Sequence, residues 1–309
     1  MQISISCDRF KYGDLMKQKL LGTAYLTVAV LIWGSTFVAQ SVGMDLVGPF
    51  TFQTVRCLLA VAFLIPAIAL FERRDPASYW RKWLDKKLWL GGSLCGIALF
   101  AAASLQQVSL MHTDAGKAGF LTALYVVLVP VIGLLFGKKP QANLTVSILL
   151  AVVGSYLLAD MRGGSINICD LMLLGSALCF AIQITLVDRY APVVDCLRLN
   201  CIQCFVTLIL SAITMLLTET PQMNAIIRCW LPLGYAGILS MGVAYSLQIL
   251  GQEKVEPTTA SIIMSMESVI AVLSGWLVLH ETMSAKELIG CVMMFIALIL
   301  SQLPFHQQK

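Results

Sequence analysis

The chain has 309 residues, of which 58% are hydrophobic and 12% are charged, and its mean hydropathy is +0.83. Soluble domains are about half apolar and about a quarter charged, so this composition excludes an ordinary soluble protein, and its high hydrophobicity excludes a disordered chain. The net charge of +4 is not gathered into a basic stripe outside the apolar segments, which argues against a nucleic-acid partner.

The apolar residues are gathered in blocks of about 20, the length that an α-helix needs to cross a bilayer. A membrane β-barrel would instead show alternating segments of about ten residues. We therefore predict an all-α integral membrane protein with ten transmembrane helices. In chain order they are residues 20–42, 48–71, 88–109, 116–136, 143–159, 170–187, 197–217, 230–250, 258–279 and 287–303.

Lysine and arginine are distributed unevenly among the segments that join these helices. With the N-terminus inside, the inside segments carry 16 of them and the outside segments carry 4, while Arg56 lies within a span. Because basic residues accumulate in cytoplasmic loops, both termini are predicted to lie in the cytoplasm. The first block is too long for a signal-peptide core, so we expect it to be retained as a helix.

The longest internal connection, residues 72–87, contains three aromatic and six basic residues. This composition suits an amphipathic segment that lies on the anionic inner leaflet. It suits a plain cytoplasmic loop with interfacial aromatic side chains equally well.

Sequence motifs for catalysis and metal binding are missing. Cys201 and Cys204 have the spacing of metal ligands, but no second cysteine pair or nearby histidine completes a site. The chain has no phosphate-binding loop, no His-Glu-x-x-His and no Gly-x-Ser-x-Gly. We therefore expect a protein that is not an enzyme and that binds neither a metal nor a cofactor.

The two halves of the chain resemble each other. Ser-Leu-Gln at residues 104–106 recurs at 246–248, an offset of 142 residues, and Trp-Gly at 33–34 matches Phe-Ala at 180–181, an offset of 147. Each half holds five predicted spans, an odd number, so the second half would enter the membrane with the opposite polarity. Inverted repeats of this kind serve alternating access in transporters, with the substrate site between the repeats.

Three stretches resemble EamA-domain proteins of the drug/metabolite transporter superfamily. They are Ser104-Leu105-Gln106 with Asp114 to Pro130, Trp33 to Phe37 in the first span, and Met266-Glu267-Ser268-Val269 with His280-Glu281. The resemblance implies ten helices in two inverted five-helix repeats around a central cavity. It also implies a carrier of small organic solutes in a bacterial cytoplasmic membrane. The predicted parts are an N-terminal segment 1–19, a first repeat 20–159, a second repeat 170–303 and a C-terminal tail 304–309.

Three ionisable residues lie within spans or at their mouths, where a charge costs about 2.5–3.5 kcal/mol on insertion scales. Glu267 either carries protons or contacts the substrate, or it is a structural carboxylate bonded to a neighbouring helix end or a cation. Arg56 can bind a substrate carboxylate, pair with a protein carboxylate or extend toward a membrane surface. If Arg56 and Glu267 pair, neither is free for substrate. Lys117 either attracts an anionic group at the outer mouth or is an interfacial lysine.

Uncharged polar and aromatic residues within the spans are candidates for direct contact with a zwitterionic solute. Each of them can equally form a hydrogen bond between helices. The repeat-matched pair Gln106 and Gln248 is preferred. The main set is Trp33, Ser35, Gln106, Gln107, Tyr125, Gln183, Tyr245 and Gln248, and Gln40 and Thr122 are further candidates.

The sequence thus predicts a secondary transporter that exports an amino acid or related metabolite by alternating access. One alternative is an intramembrane enzyme acting on lipid, which would need clustered acidic or histidine residues near the membrane surface. The other is a non-transporting membrane partner, which would typically carry a soluble domain. The expected partners are the small-molecule substrate and membrane lipid, and the oligomeric state stays open.

Overall fold

The computed structural model describes residues 2–72, 76–113, 115–135, 137, 142–158, 168–278 and 284–302. All regular secondary structure in these residues is helical. The helices are α1 (Gln2–Met44), α2 (Pro49–Phe71), α3 (Pro76–Trp83), α4 (Lys86–Leu110), α5 (Ala115–Ala123), α6 (Tyr125–Leu135), α7 (Ala142–Leu158), α8 (Ile168–Tyr190), α9 (Cys196–Thr218), α10 (Met223–Arg228), α11 (Trp230–Gly234), a π-helical segment (Tyr235–Ala244), α12 (Tyr245–Gln252), α13 (Pro257–Ser265), α14 (Glu267–Val278) and α15 (Ala285–Gln302).

Eight helical stretches within the described residues are long and apolar enough to cross a membrane. Two further apolar helices, Leu144–Leu157 and Leu288–Ser301, are shorter. The prediction of an all-helical membrane protein is therefore confirmed, and the ten predicted segments coincide with these ten stretches. That the two shorter helices also cross the membrane stays a prediction. The first helix begins at Gln2 and so extends well before the predicted first span.

The fourth and ninth predicted spans, residues 116–136 and 258–279, each contain a one-residue turn that divides the helix in two. Leu124 separates α5 from α6, and Met266 separates α13 from α14. In both breaks the carbonyl of the turn residue accepts hydrogen bonds from the N–H groups three and four residues later. The two breaks are 142 residues apart, the same offset as the repeated Ser-Leu-Gln. The halves therefore share a local backbone feature as well as a sequence pattern.

Helices α2 and α9 pack together, and the end of each is joined to the start of the other. Glu219 follows α9 and accepts hydrogen bonds from the Phe50 and Thr51 N–H groups, both at 2.8 Å, and from the Thr51 hydroxyl at 2.6 Å. Glu72 follows α2 and accepts from both terminal nitrogens of Arg198, at 3.0 and 2.5 Å. We name these contacts the Glu219 clamp and the Glu72 clamp. Their residues correspond at an offset of 147.

The Glu72 clamp also holds the segment between the second and third spans. The Arg198 side chain is 0% exposed, and its guanidinium lies 5.1 Å from the Tyr79 ring and 5.2 Å from the Trp83 ring. Lys82 lies 2.5 Å from Glu72. Helix α3 is thus docked on the start of α9. The hydrogen bonds from Arg198 lower the pKa of Glu72 to about 2.

Close packing of α4 against α9 depends on a glycine. A Cβ atom at Gly96 would lie 2.7 Å from Val206 Cβ and 2.8 Å from the Gln203 carbonyl oxygen. We expect Gly96→Ala to lower stability by about 1–3 kcal/mol, because an extra methyl group in a filled contact forces the two helices apart. Thermal unfolding in detergent measures this. Gly234→Ala is the matched control, because a Cβ there meets nothing within 4 Å; equal unfolding temperatures for the two variants would contradict the prediction.

Candidate functional site

Helices from both halves of the chain surround a central cavity. Part of this cavity is open to the surroundings. The polar and charged side chains that line it are Thr36, Gln40, Arg56, Gln106, Gln183, Ser240, Gln248 and Glu267. The aromatic and apolar ones are Trp33, Phe37, Ala103, Tyr125, Phe180, Ile184, Met241, Tyr245 and Met264. An apolar wall with a few placed polar groups is the usual construction of a small-molecule site.

Arg56 projects from α2 into this cavity and is held by neutral amides. It is 4% exposed; its Nη1 donates to Gln40 Oε1 at 2.9 Å and its Nη2 donates to Gln53 Oε1. The Phe52 ring lies 5.8 Å from the guanidinium carbon. No ion pair joins Arg56 to a carboxylate among the residues that the structure describes. The alternative in which Arg56 pairs with Glu267 is therefore not the arrangement observed.

Glu267 faces the same cavity from the first turn of α14. It is 8% exposed, and its Oε1 accepts a hydrogen bond from the Tyr125 hydroxyl at 3.1 Å. The N-terminus of a helix carries partial positive charge, which favours a carboxylate at this position. Tyr125 is the first residue of α6, and the two residues are 142 positions apart. Equivalent positions of the two interrupted spans therefore meet each other in the cavity wall.

A chain of side-chain amides runs from the cavity into the protein. Gln248 Nε2 donates to Gln183 Oε1 at 3.2 Å, Gln183 Nε2 donates to Gln203 Oε1 at 3.1 Å, and Gln203 Nε2 donates to Asn200 Oδ1 at 2.8 Å. Asn200 then donates to backbone carbonyls of the π-helical segment. Each amide in this chain donates through its nitrogen to the oxygen of the next, so the chain sets which way the Gln248 amide is turned. Its Oε1 is buried without a hydrogen-bond partner, so an acceptor remains at the cavity end.

Two pairs of aromatic rings form part of the wall. The Trp33 and Tyr245 rings meet edge to face with their centroids 4.9 Å apart, and the Tyr125 and Phe180 rings do so at 6.5 Å. The first pair joins the first span to the eighth and the second joins the fourth to the sixth. The aromatic wall is thus assembled across the two halves of the chain.

The structure brings eight of the eleven predicted site residues together around the cavity. These are Trp33, Arg56, Gln106, Tyr125, Gln183, Tyr245, Gln248 and Glu267. Ser35 does not line it, because its hydroxyl lies 2.5 Å from the Tyr235 hydroxyl and bonds to backbone carbonyls. Gln107 is buried outside the lining. The side chain of Lys117 lies outside the described residues.

Three further polar residues line the cavity: Gln40 was a further candidate from the sequence, whereas Thr36 and Ser240 were not predicted. Gln40 holds Arg56, and Thr36 and Ser240 add hydroxyl groups to the wall. Thr36 and Gln40 lie three and seven residues along α1 from Trp33, so helical spacing from Trp33 was the available signal for Thr36. Ser240 lies in the π-helical segment, where the ordinary spacing of an α-helix does not apply.

Comparison with known proteins identifies the family. The model of the EamA-like transporter family matches residues 20–159 and 167–303. The chain belongs to the EamA-like transporter family. It is 32% identical to an uncharacterized transporter of Archaeoglobus fulgidus over 93% of this chain and 87% of that protein. It is 21% identical to the uncharacterized transporter YoaV of Bacillus subtilis over 95% of this chain and all of that protein.

The fold of this EamA protein is shared with a solved crystal structure at a TM-score of 0.74. The match has 19% identity and covers 91% of this chain and 96% of the other. Within the residues that the structure describes, no group of three or more His, Cys, Asp or Glu side chains could hold a metal ion. The chain is therefore an integral membrane protein of a transporter family, with a polar cavity at the meeting of its two halves.

Proposed function

We propose that this EamA protein is a secondary transporter that moves an amino acid or related metabolite out of the cell by alternating access. The proposal gives it ten transmembrane helices in two inverted five-helix repeats, residues 20–159 and 170–303. The observation that carries it is the cavity, which is lined by charged, amide and aromatic side chains from both halves of a transporter-family chain. A site between inverted repeats is the usual place for substrate in such carriers.

The contacts between the halves support the inverted arrangement. Tyr125 meets its equivalent Glu267, and the Glu72 clamp and the Glu219 clamp use equivalent positions at opposite ends of α2 and α9. Contacts between equivalent residues are expected close to an axis that relates two repeats. With five spans in each repeat, that axis lies in the membrane plane.

The cavity suits a small solute that carries both charges. Arg56 supplies a fixed positive charge, while Glu267 and Gln248 Oε1 supply acceptors for an ammonium group. The Trp33–Tyr245 pair supplies apolar surface for the rest of the solute. These features favour an amino acid over a purely apolar substrate.

The membrane orientation is part of the proposal. The excess of lysine and arginine in one set of loops favours a cytoplasmic location for segments 1–19 and 304–309, and the family resemblance favours a bacterial cytoplasmic membrane. The Glu72 clamp then lies at the cytoplasmic face and the Glu219 clamp at the outer face.

Solute flux in proteoliposomes tests the proposal. Vesicles are loaded with labelled amino acids, organic acids and nucleobases, with and without a proton gradient. Efflux of one solute class above that of protein-free vesicles is the expected result. No flux across the whole pool, from protein shown to be folded and inserted, would overturn the assignment. Assays in protein inserted in a single orientation, with the gradient applied each way, test the export direction.

Glu267→Gln is expected to abolish the response of flux to the proton gradient while downhill exchange continues. The amide keeps the shape of the carboxylate and the hydrogen bond from Tyr125, but it cannot bind and release a proton. Flux as a function of the pH difference across the membrane is the measurement. Tyr125→Phe is the complementary variant: it removes the hydrogen bond that Glu267→Gln keeps, and it leaves the carboxylate, so its flux should still respond to the proton gradient. Gradient-driven accumulation in Glu267→Gln would rule out proton coupling through this residue.

A further inference from the structure

The side chains around Arg56 retain buried hydrogen-bond donors without acceptors. Gln40 Oε1 and Gln53 Oε1 both accept from the guanidinium, so both acceptors are already used. Arg56 Nε and Gln53 Nε2 are buried and have no partner, and the two residues are 4% and 1% exposed. Buried polar groups in proteins are nearly always satisfied. This cluster therefore lacks an acceptor, and Arg56 borders the cavity from which an acceptor can arrive.

The missing acceptor is expected to be an anion. Arginine keeps its charge at physiological pH, and a buried charge without a counter-charge is unfavourable. The amides that hold Arg56 are neutral, and Glu267, on the same cavity, is bonded to Tyr125. A planar guanidinium matches a carboxylate with two parallel hydrogen bonds.

We propose that Arg56 is the subsite for a carboxylate on the transported solute, and that Gln40 and Gln53 are positioning residues that hold the guanidinium. The proposal rests on the proposed function, since it requires that the cavity carries the solute. It goes further by making the carboxylate obligatory: a solute without one leaves Arg56 uncompensated and is rejected.

Matched solutes test this requirement in proteoliposomes of the full chain. Each amino acid or organic acid is compared with its carboxamide and, for amino acids, with the amine that lacks the carboxyl carbon. We expect flux of each carboxylate to exceed that of its amide about tenfold or more. Arg56→Gln should lose that flux by about the same factor, and Arg56→Lys should fall between, since it keeps the charge without the planar fork. Arg228→Gln, at an exposed arginine, should transport as the wild type does.

Thermal unfolding separates a binding role from a structural one. Carboxylate solutes should raise the unfolding temperature of the wild type and leave that of Arg56→Gln unchanged. Without solute, Arg56→Gln should be as stable as the wild type, because it removes an uncompensated buried charge. A structural role would give a different result. Arg56→Gln would then be much less stable than the wild type, while Arg56→Lys and the folded fraction of Arg56→Gln would bind carboxylates normally.

The outcomes distinguish this proposal from the proposed function. Equal flux of carboxylates and their amides would overturn the Arg56 subsite and leave the transporter assignment intact. Flux that requires chloride, and not a carboxylate on the solute, would assign Arg56 to an inorganic anion and would also overturn the proposal. If no carboxylate is transported by the wild type and none raises its unfolding temperature, both this proposal and the proposed function are overturned.

Discussion

Replacing Arg198 with alanine is expected to lower the free energy of unfolding by about 3 kcal/mol, the lower end of the range for breaking a buried ion pair. The side chain is 0% exposed, donates to both oxygens of Glu72 and lies 3.2 Å from Asp195. Once Arg198 is removed, Lys82 is the cation that remains close to Glu72 and Asp195 among the described residues. Since the Glu72 and Asp195 side chains are 20% and 26% exposed, water replaces part of what is lost.

Thermal unfolding in detergent measures this loss, with Arg189→Ala, at an exposed arginine, as the control. Arg198→Lys should be intermediate, because an ammonium cannot bind both carboxylate oxygens in the plane of a guanidinium. An unfolding temperature of Arg198→Ala equal to that of the control would contradict a stabilising role for the Glu72 clamp.

The same contact predicts how stability depends on pH. The pKa of Glu72 is about 2 in the folded protein, below the ordinary value of 4.5, because Arg198 donates to its charged form. The stabilisation from Glu72 is therefore complete above pH 4.5 and is lost as the pH falls from there toward 2. Arg198→Ala should flatten this part of the profile of unfolding temperature against pH. Glu72→Gln should flatten it as well, since it removes the titrating group.

The membrane class and the apolar segments could be predicted because a bilayer imposes a length and a composition on each crossing helix. The breaks at Leu124 and Met266 could not, since neither residue is a glycine or proline and neither is next to one. The offset of 142 indicated a repeat in the sequence, and the structure adds that the two breaks are separated by the same offset.

The candidate site was predictable in part, because polar and charged side chains within a span must face protein or a cavity. Arg56 and Glu267 were found on that ground. The rotation of each helix could not be fixed, since lipid and protein interior are both apolar and neither face is marked. Ser35 and Thr36 are neighbours, as are Gln106 and Gln107, and in each pair one residue lines the cavity and the other does not.

The partners of Arg56 also show that contacts within one helix can be predicted from the sequence, whereas contacts between helices cannot. Gln53 lies one helical turn before it, so their contact follows from spacing along α2. Gln40 lies on α1, and its contact with Arg56 depends on how two helices pack, which the sequence does not specify. The Glu72 and Glu219 clamps were missed for that reason too, because each joins residues more than 120 positions apart.

Asn200→Leu is expected to destabilise the protein by about 2–3 kcal/mol and to raise the KM for solute roughly tenfold. Asn200 is 0% exposed, and its amide nitrogen donates to the Met241 and Gly242 carbonyls, both at 3.0 Å, and to Ser246 Oγ at 2.9 Å. It also accepts from Gln203 Nε2 at 2.8 Å. Leucine has a similar size, so the variant removes the hydrogen bonds without opening a large cavity.

The effect on KM follows from what those hydrogen bonds hold in place. Met241 and Gly242 belong to the π-helical segment, whose wider turn sets the rotation of the helix that follows. Tyr245 and Gln248 lie on that next helix and line the cavity. Without Asn200 the amide chain that fixes Gln248 also loses its inner end, so the unpartnered Oε1 is no longer aimed by its neighbours.

A comparison with Ser246→Ala separates positioning from general stability. That variant removes one of the three acceptors of Asn200 and leaves both carbonyl contacts, so it should lose less stability and keep the KM of the wild type. Flux against solute concentration is measured for both variants, and the expected result for Asn200→Leu is a raised KM with a maximal rate that changes less. If Asn200→Leu unfolds at a lower temperature but transports with an unchanged KM, the amide chain supports the fold and does not position Gln248. Asn200→Asp is expected to raise the KM less than Asn200→Leu does. Aspartate can still accept a hydrogen bond from Gln203, but it cannot donate one to the π-helical segment.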